Sequence, residues 1–361
     1  MKITTGFNKD KYLSFFLTLL AGLLGGNLFS LLDLPLPWIL GPMFLTVFLT
    51  MTIKDAYSPP SCTLVGFFIL GISMGLYFVP EMGAIILDQL EFVIVMTFVL
   101  FFLSVMNGVL YKNIFKLDWM TAIFGSIPGG TAQMIEIGKE LGGKPEIIAI
   151  QQFIRLVFVV MIIPSFLIFS SKPADTIIAK QTEAVNVNLI GLLILFGLGC
   201  LGVVIGRFLS IPLYFLTGPL IVVAIFSLSG VSLGDVPPIL LHIAQLFIGI
   251  NIGNNFKKKE LLEYRKYLML GLLAGISLTA MSFFAAFLLY LWSGIDFATA
   301  ILCMAPGGVA EMSLTAVIIG ANVPLVAAFQ VFRMLVFLTI VPKAVVFIIN
   351  RIRLKSNALE H

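Results

Sequence analysis

The sequence predicts an all-α polytopic membrane protein, and three observations carry that prediction. Of its 361 residues 60% are hydrophobic and only 11% charged, with a mean hydropathy of +1.09, whereas soluble domains carry about 25% charged residues. Apolar runs recur from one end of the chain to the other. The second half also repeats the landmarks of the first in a fixed register, which composition alone does not produce.

The first apolar run, at 12–32, is too long for the apolar core of a signal peptide and lacks a cleavage site, so it is expected to be retained. Further runs follow at 38–53, 62–79, 92–110, 117–127, 131–142 (more polar) and 146–169. A second series occupies 187–208, 213–230, 239–255, 267–292, 297–305, 309–321 and 324–349. The chain thus divides into a first transmembrane repeat at 1–170, a polar connector at 171–186, a second repeat at 187–350 and a cytoplasmic tail at 351–361. The ending Leu359-Glu360-His361 has the form of an expression-tag scar. Cys62, Cys200 and Cys303 are scattered without metal spacing, so neither a disulfide framework nor a metal site is expected.

The duplication is specific. Leu34-Pro-Leu-Pro-Trp-Ile-Leu-Gly-Pro42 matches Ile211-Pro-Leu-Tyr-Phe-Leu-Thr-Gly-Pro219 at an offset of 177 (219 − 42). At 178 (306 − 128), Gly71, Gly75, Asp118, Thr121, Pro128, Gly129, Gly130, Gln152 and Arg155 fall on Gly249, Gly253, Asp296, Thr299, Pro306, Gly307, Gly308, Gln330 and Arg333. Each half therefore places Pro-Gly-Gly inside an apolar segment, at Pro128 and at Pro306. Proline removes a donor and glycine bares backbone, which lipid tolerates only where that backbone is buried in protein or lines a cavity.

Orientation follows from Lys and Arg in short loops, which gather on the cytoplasmic side. If each Pro-Gly-Gly segment enters and leaves on one side, each half has five crossings and the second half is inverted. With the N-terminus inside, Lys54, Lys112, Lys116, Lys139, Lys144, Arg207, Lys257, Lys258, Lys259, Arg265, Lys266, Arg351, Arg353 and Lys355 are then cytoplasmic. The loops at Asp33, 81–91, Asp235, 294–296 and 321–322 are outside and contain no Lys or Arg; only the connector, with Lys172 and Lys180 among its acids, departs from the rule. Parallel repeats would put the Lys257–Lys266 cluster outside. The expected architecture is two inverted repeats of five crossings plus one re-entrant hairpin each, about ten crossings in all, with both termini cytoplasmic.

Helix breaks at matching places in two inverted halves are where transporters bind substrate. The arms that restart at Thr131 and Val309 present unpaired N–H groups and the positive end of a helix dipole, suited to an anion. Candidate binding residues are Pro128, Gly129, Gly130, Thr131, Gln133, Pro306, Gly307, Gly308 and Glu311 at the tips, with Gln152, Arg155, Gln330 and Arg333 on the following helices. The glycines could instead serve only tight hairpin packing, though a break that recurs in both halves with polar residues behind it favours a cavity, and Glu311 could neutralise Arg155 or Arg333 rather than carry a proton or cation. Ser73, His242, Gln245 and Asn251 are candidate pathway residues; a lone His beside Pro237-Pro238 is otherwise an interfacial hydrogen-bonder.

The blocks Pro128-Gly-Gly-Thr-Ala-Gln-Met134 and Pro306-Gly-Gly-Val-Ala-Glu-Met312, with the paired Gly-Pro motifs, resemble the bacterial AbrB-type membrane protein family over nearly the whole chain. The resemblance implies internal duplication and a bacterial cytoplasmic (inner) membrane location. Members carry labels such as regulator and ammonia monooxygenase, which imply no mechanism. One internal histidine and three cysteines do not make an ordinary monooxygenase metal site, and no Gly-x-x-x-x-Gly-Lys-Ser/Thr motif offers ATP coupling. The expectation is a secondary-active transporter or exporter of a small anionic or zwitterionic metabolite, coupled to H+ or Na+, without cofactor or nucleic acid and not an enzyme. It would work in the lipid bilayer, with a homodimer open to it. The alternative is a membrane sensor or regulatory component acting through a partner. Inversion predicts that cysteines placed at Lys139 and Asn322, in a background lacking the native cysteines, are labelled by an impermeant maleimide from opposite faces; labelling from one face refutes it.

Overall fold

The computed structural model describes residues 9–32, 34, 36–52, 56–170, 189–231, 234–255, 263, 267–341, 343–345 and 347, and their regular structure is entirely helical. The connector 171–186, the tail 351–361, Lys2, Asp33, Lys54, Lys257–Lys259, Arg265 and Lys266 lie outside the described residues.

The first series comprises α1 (Lys9–Leu31), α2 (Pro37–Thr52), α3 (Pro60–Gly75), α4 (Pro80–Asp88), α5 (Leu90–Phe115), α6 (Trp119–Ser126), α7 (Thr131–Glu140) and α8 (Pro145–Ser170). The second comprises α9 (Leu189–Phe208), α10 (Tyr214–Leu228), α11 (Pro238–Asn254), α12 (Leu268–Ser293), α13 (Phe297–Met304), α14 (Val309–Ile319) and α15 (Val323–Thr339). The short helix α4, opened by Pro80 at its first turn, has no counterpart in the sequence expectation.

Five helices, α1, α5, α8, α9 and α12, are long and apolar enough to cross a membrane. At most 44% of each one's apolar window is buried, and Phe16, Phe98, Phe166, Leu193 and Phe284 face outward. Such surfaces need hydrocarbon around them. This makes the chain a helical membrane protein. Helices α2, α3, α10, α11 and α15 have 15 to 17 residues, about 22–26 Å at ~1.5 Å per residue against a core of about 30 Å.

The helices pack in two groups. In the first, α1 lies on α2, α2 on α11, α11 on α3, α3 on α10 and α10 on α9. In the second, α8 gathers α6, α7, α12 and α14, while α5 packs on α6, α12 and α15. Helices α3 and α4 connect the groups: α3 touches α14 and α15, and α4 touches α10 and α15.

Close approach in the first group depends on glycines, and the contacts are reciprocal. A Cβ on Gly202 would stand 2.5 Å from the carbonyl oxygen of Gly218, and Gly25 abuts Gly41 in the same way. Across the halves, a Cβ on Gly75 of α3 would stand 2.7 Å from Val223 Cβ of α10, and one on Gly253 of α11 would stand 2.8 Å from Thr46 Cβ of α2. Gly71 meets Leu216 O while Gly249 meets Ile39 O. When residue i meets j′ and i′ meets j, the two sets are related as across a two-fold axis. Dispersion and backbone contact, rather than hydrophobic transfer, must hold such helices together in lipid, so each added methyl acts directly on the seam.

Gly202→Ala is therefore expected to destabilise by about 1–3 kcal/mol, because the carbonyl it meets is backbone and has little freedom to give. Gly197→Ala, on the same helix with nothing within 4 Å of its Cβ, should instead stabilise by about 0.5–1 kcal/mol. Thermal unfolding of both variants in nanodiscs checks the contrast.

Candidate functional site

Each Pro-Gly-Gly segment is a helix–break–helix: α6 stops at Ser126 and α7 starts at Thr131, while α13 stops at Met304 and α14 starts at Val309. The outer ends are tied in the same way. Asp118 caps α6 by accepting from Thr121 N at 2.8 Å, and Asp296 caps α13 by accepting from Thr299 N at 2.8 Å. The Oγ1 atoms of Thr121 and Thr299 then accept from Lys144 N (2.7 Å) and Asn322 N (3.0 Å), where α8 and α15 begin. Both aspartates are thus helix caps. Lys144 and Asn322 are themselves 178 apart (322 − 144), so the duplication reaches down to single hydrogen bonds.

Breaking a helix orphans carbonyls, and in each half a buried Gln–Arg pair takes them up. Gln152 Nε2 donates to Phe124 O (2.6 Å) and Ile127 O (2.9 Å), and Arg155 Nη1 donates to Ile127 O (3.2 Å). Gln330 Nε2 donates to Leu302 O (2.7 Å) and Ala305 O (3.2 Å). Arg333 donates to Ala305 O (2.7 Å) and Gly307 O (3.1 Å). Each arginine also donates to its own glutamine, Arg155 Nη2 to Gln152 Oε1 at 2.8 Å and Arg333 Nη2 to Gln330 Oε1. Three residues apart, the two side chains share one helix face. All four are at most 3% exposed. The guanidiniums are engaged by carbonyls and amides rather than by Glu311.

The glycines of the motif make room for the motif's own later residues. A Cβ on Gly129 would stand 2.6 Å from Met134 Cε, and one on Gly307 would stand 2.7 Å from Met312 Cε. A Cβ on Gly130 or Gly308 would strike the side-chain oxygen of Gln133 or Glu311. Gly130 and Gly308 are N-caps, so Gln133 and Glu311 each occupy the third helical position and fold back over the cap, as in a capping box. Glu311 is 7% exposed. A carboxylate there also answers the positive end of the α14 dipole. Pro128 and Pro306 are buried, and Thr131 opens α7 half-buried.

The pathway candidates stand elsewhere. His242, Gln245 and Asn251 lie on α11, whose main partners are α1, α2 and α3. The His242 ring stacks on Trp38 at 5.2 Å between centroids and 16° between planes, which accounts for it structurally. Ser73 lies half-buried on α3, the helix that reaches α14 and α15. Glu136, Lys139 and Glu140 are on the exposed side of α7. Two polar residues beside the first break were not among the candidates: Gln151, fully buried against Gly125, and Ser126, 1% exposed. Their signal in the sequence was polarity without a match, since the positions 178 further on are Phe329 and Met304.

Fold and site together define a helical membrane protein built around two matched, guanidinium-capped helix breaks. The chain belongs to the AbrB family: the family model described as "Transition state regulatory protein AbrB" matches residues 38–348. It is 27% identical over 341 residues to "Uncharacterized protein YhjN" of Bacillus subtilis (strain 168), covering 88% of each chain. It is 27% identical over 327 residues to "Putative regulator AbrB" of Escherichia coli (strain K12), covering 89% of this chain and 92% of that one.

The capping geometry predicts that Gln330→Leu, which frees Leu302 O and leaves Ala305 O with a single donor, destabilises by about 1–3 kcal/mol for each orphaned group. Gln133→Leu leaves every capped carbonyl bonded and should shift the unfolding temperature by less than half as much. Thermal denaturation of the two variants side by side is the measurement.

Proposed function

We propose that the chain is a secondary-active transporter or exporter of a small anionic or zwitterionic metabolite in the bacterial cytoplasmic membrane, working by alternating access around the two helix breaks. The observation that carries this is the pair of breaks, each stabilised by a buried guanidinium, with Glu311 as the one buried carboxylate among the described residues. Two buried guanidiniums set against one buried carboxylate leave an excess of positive charge, which favours a further negative charge. The reciprocal glycine contacts support two repeats related by a two-fold axis, and the Lys/Arg distribution favours an axis in the membrane plane, hence inversion and re-entrant hairpins.

Of the two coupling ions, the proton fits better. A sodium ion at the breaks would need carbonyls, and those of Phe124, Ile127, Leu302, Ala305 and Gly307 already accept from amides and guanidiniums. Glu311 is free of that competition. It sits at a helix terminus in one half only, so a change in its charge would bias one break against the other. The regulator alternative rests on the names of relatives alone.

Reconstituted in proteoliposomes with panels of labelled carboxylates and amino acids, the protein should carry at least one of them when a pH gradient is imposed. Glu311→Gln should reduce pH-driven flux at least tenfold while leaving exchange at equal pH. Absence of flux across the panels, together with a stable complex with a partner protein, would turn the assignment toward regulation.

A further inference from the structure

Four buried side-chain atoms without a hydrogen-bond partner belong to three residues at the first break: Gln151 Oε1 and Nε2, Ser126 Oγ and Arg155 Nε. Two facing stretches bring them together. Gln151 and Arg155 are four residues apart on α8, one turn along the same face. The Gln151 amide lies against Gly125, and Arg155 Nη1 holds Ile127 O at 3.2 Å. Ser126 is the residue between those two anchor points. An amide that is 0% exposed and unpaired at both ends is unusual in a native interior, where each such group costs about 1–3 kcal/mol and is normally met by protein, water or ligand.

The second half has no counterpart at the matched positions; its one unpartnered buried side-chain atom among the described residues near the break, Ser313 Oγ, lies further along α14. Phe329 and Met304, at the positions equivalent to Gln151 and Ser126, are 1% exposed and apolar. The halves also differ in charge at the restarting arm. Glu311 lays a carboxylate on the N-terminus of α14, whereas Gln133 leaves that of α7 without one. The first break therefore has surplus donors, a dipole end with no anion of its own, and an acceptor pair with nothing to accept from.

We propose that this cluster is a binding subsite for a small hydroxy- or amino-carboxylate, held by Gln151, Ser126 and Arg155. Gln151 Nε2 and Arg155 Nε donate to the ligand's carboxylate, and charge assistance makes these the strong contacts. Gln151 Oε1 and Ser126 Oγ accept from its hydroxyl or ammonium. A neutral amide analogue loses the charge-assisted bonds, and a plain hydrocarbon acid leaves the acceptors unmet. The subsite deepens the transport proposal by naming the ligand's chemistry and the half that recognises it, and it rests on that proposal for its role in flux.

The test uses the full chain in nanodiscs, with radiolabelled L-lactate and L-alanine as probes and lactamide as the neutral competitor. At least one probe should bind without being displaced by lactamide, and Gln151→Leu and Ser126→Ala should each weaken it at least tenfold. Phe329→Leu, the matched position in the other half, should leave it within twofold. Because the Gln151 side chain makes no hydrogen bond within the protein, the unliganded Gln151→Leu protein should melt no lower than wild type, which separates lost binding from lost fold. Binding of neither probe, or unchanged binding by Gln151→Leu, overturns the subsite. A higher melting temperature for Gln151→Leu with no probe bound by wild type also overturns it, marking the cluster as a buried-water site. Uptake of the same probes into proteoliposomes separates the two proposals. Uptake unchanged in Gln151→Leu overturns the subsite and leaves transport standing, whereas Gln151-dependent binding without uptake sustains the subsite and overturns transport.

Discussion

A helix interrupted inside a bilayer must find hydrogen-bond donors for the carbonyls it releases, because lipid supplies none. In this molecule that demand is met twice by the same device, a glutamine and an arginine one turn apart on the next long helix. The glutamine amide spans the last turn of the broken arm, and the arginine fork closes on the carbonyl at the break itself. Burying a guanidinium among carbonyls is costly unless most of its donors are used, which ties each arginine to its break and each break to α8 or α15. The Asp–Thr ties at the outer ends of the arms then fix where the break lies relative to the start of that helix.

Much of this was legible because duplication reports spacing. The register of 178 located both breaks, both Gln–Arg pairs and both aspartate caps, and the arms begin and end within two residues of the sequence expectation. Roles were less legible than positions. The glycines read as room for a ligand, yet the space over Gly129 and Gly130 is filled by Met134 and Gln133. A third-position Gln or Glu after a glycine N-cap is a recognisable capping pattern, so this was a competing cue rather than a missing one. The arginines read as ligands or as partners of Glu311, because sequence cannot show which carbonyls a break exposes. Gly71 and Gly75 announced a close helix contact, but spacing does not say with which helix, and the contact crosses to the other half. Helix α4 is nine residues long and only partly apolar, below what periodicity resolves.

In the transport proposal the near-symmetry has a mechanical use. If two equivalent breaks are held by equivalent caps, exchanging the roles of the halves changes little in the covering hydrogen bonds, so two states of similar energy are available to the same scaffold. Such bistability lets a modest differential interaction with ligand or proton shift the population. The six-helix group of α1–α3 and α9–α11 is sealed by backbone-to-backbone glycine contacts. The group carrying the breaks meets it through α3 and α4 rather than through its long helices.

Where the symmetry fails, it fails at the breaks and with a consistent sense. The second half carries its own anion, Glu311, at the restarting helix, and closes the neighbouring space with Cys303, Met304 and Phe329. The first half has Gln133 in place of the carboxylate, and Gly125, Ser126 and Gln151 in place of the apolar wall. One break is therefore internally complete, with dipole, guanidinium and carboxylate all within the chain. Its twin has the same dipole and the same guanidinium but lacks the carboxylate, and it sets unpaired polar atoms where its counterpart is apolar. In the transport proposal, a duplicated site that keeps its positive elements in both copies and its negative element in one takes the missing charge from its substrate.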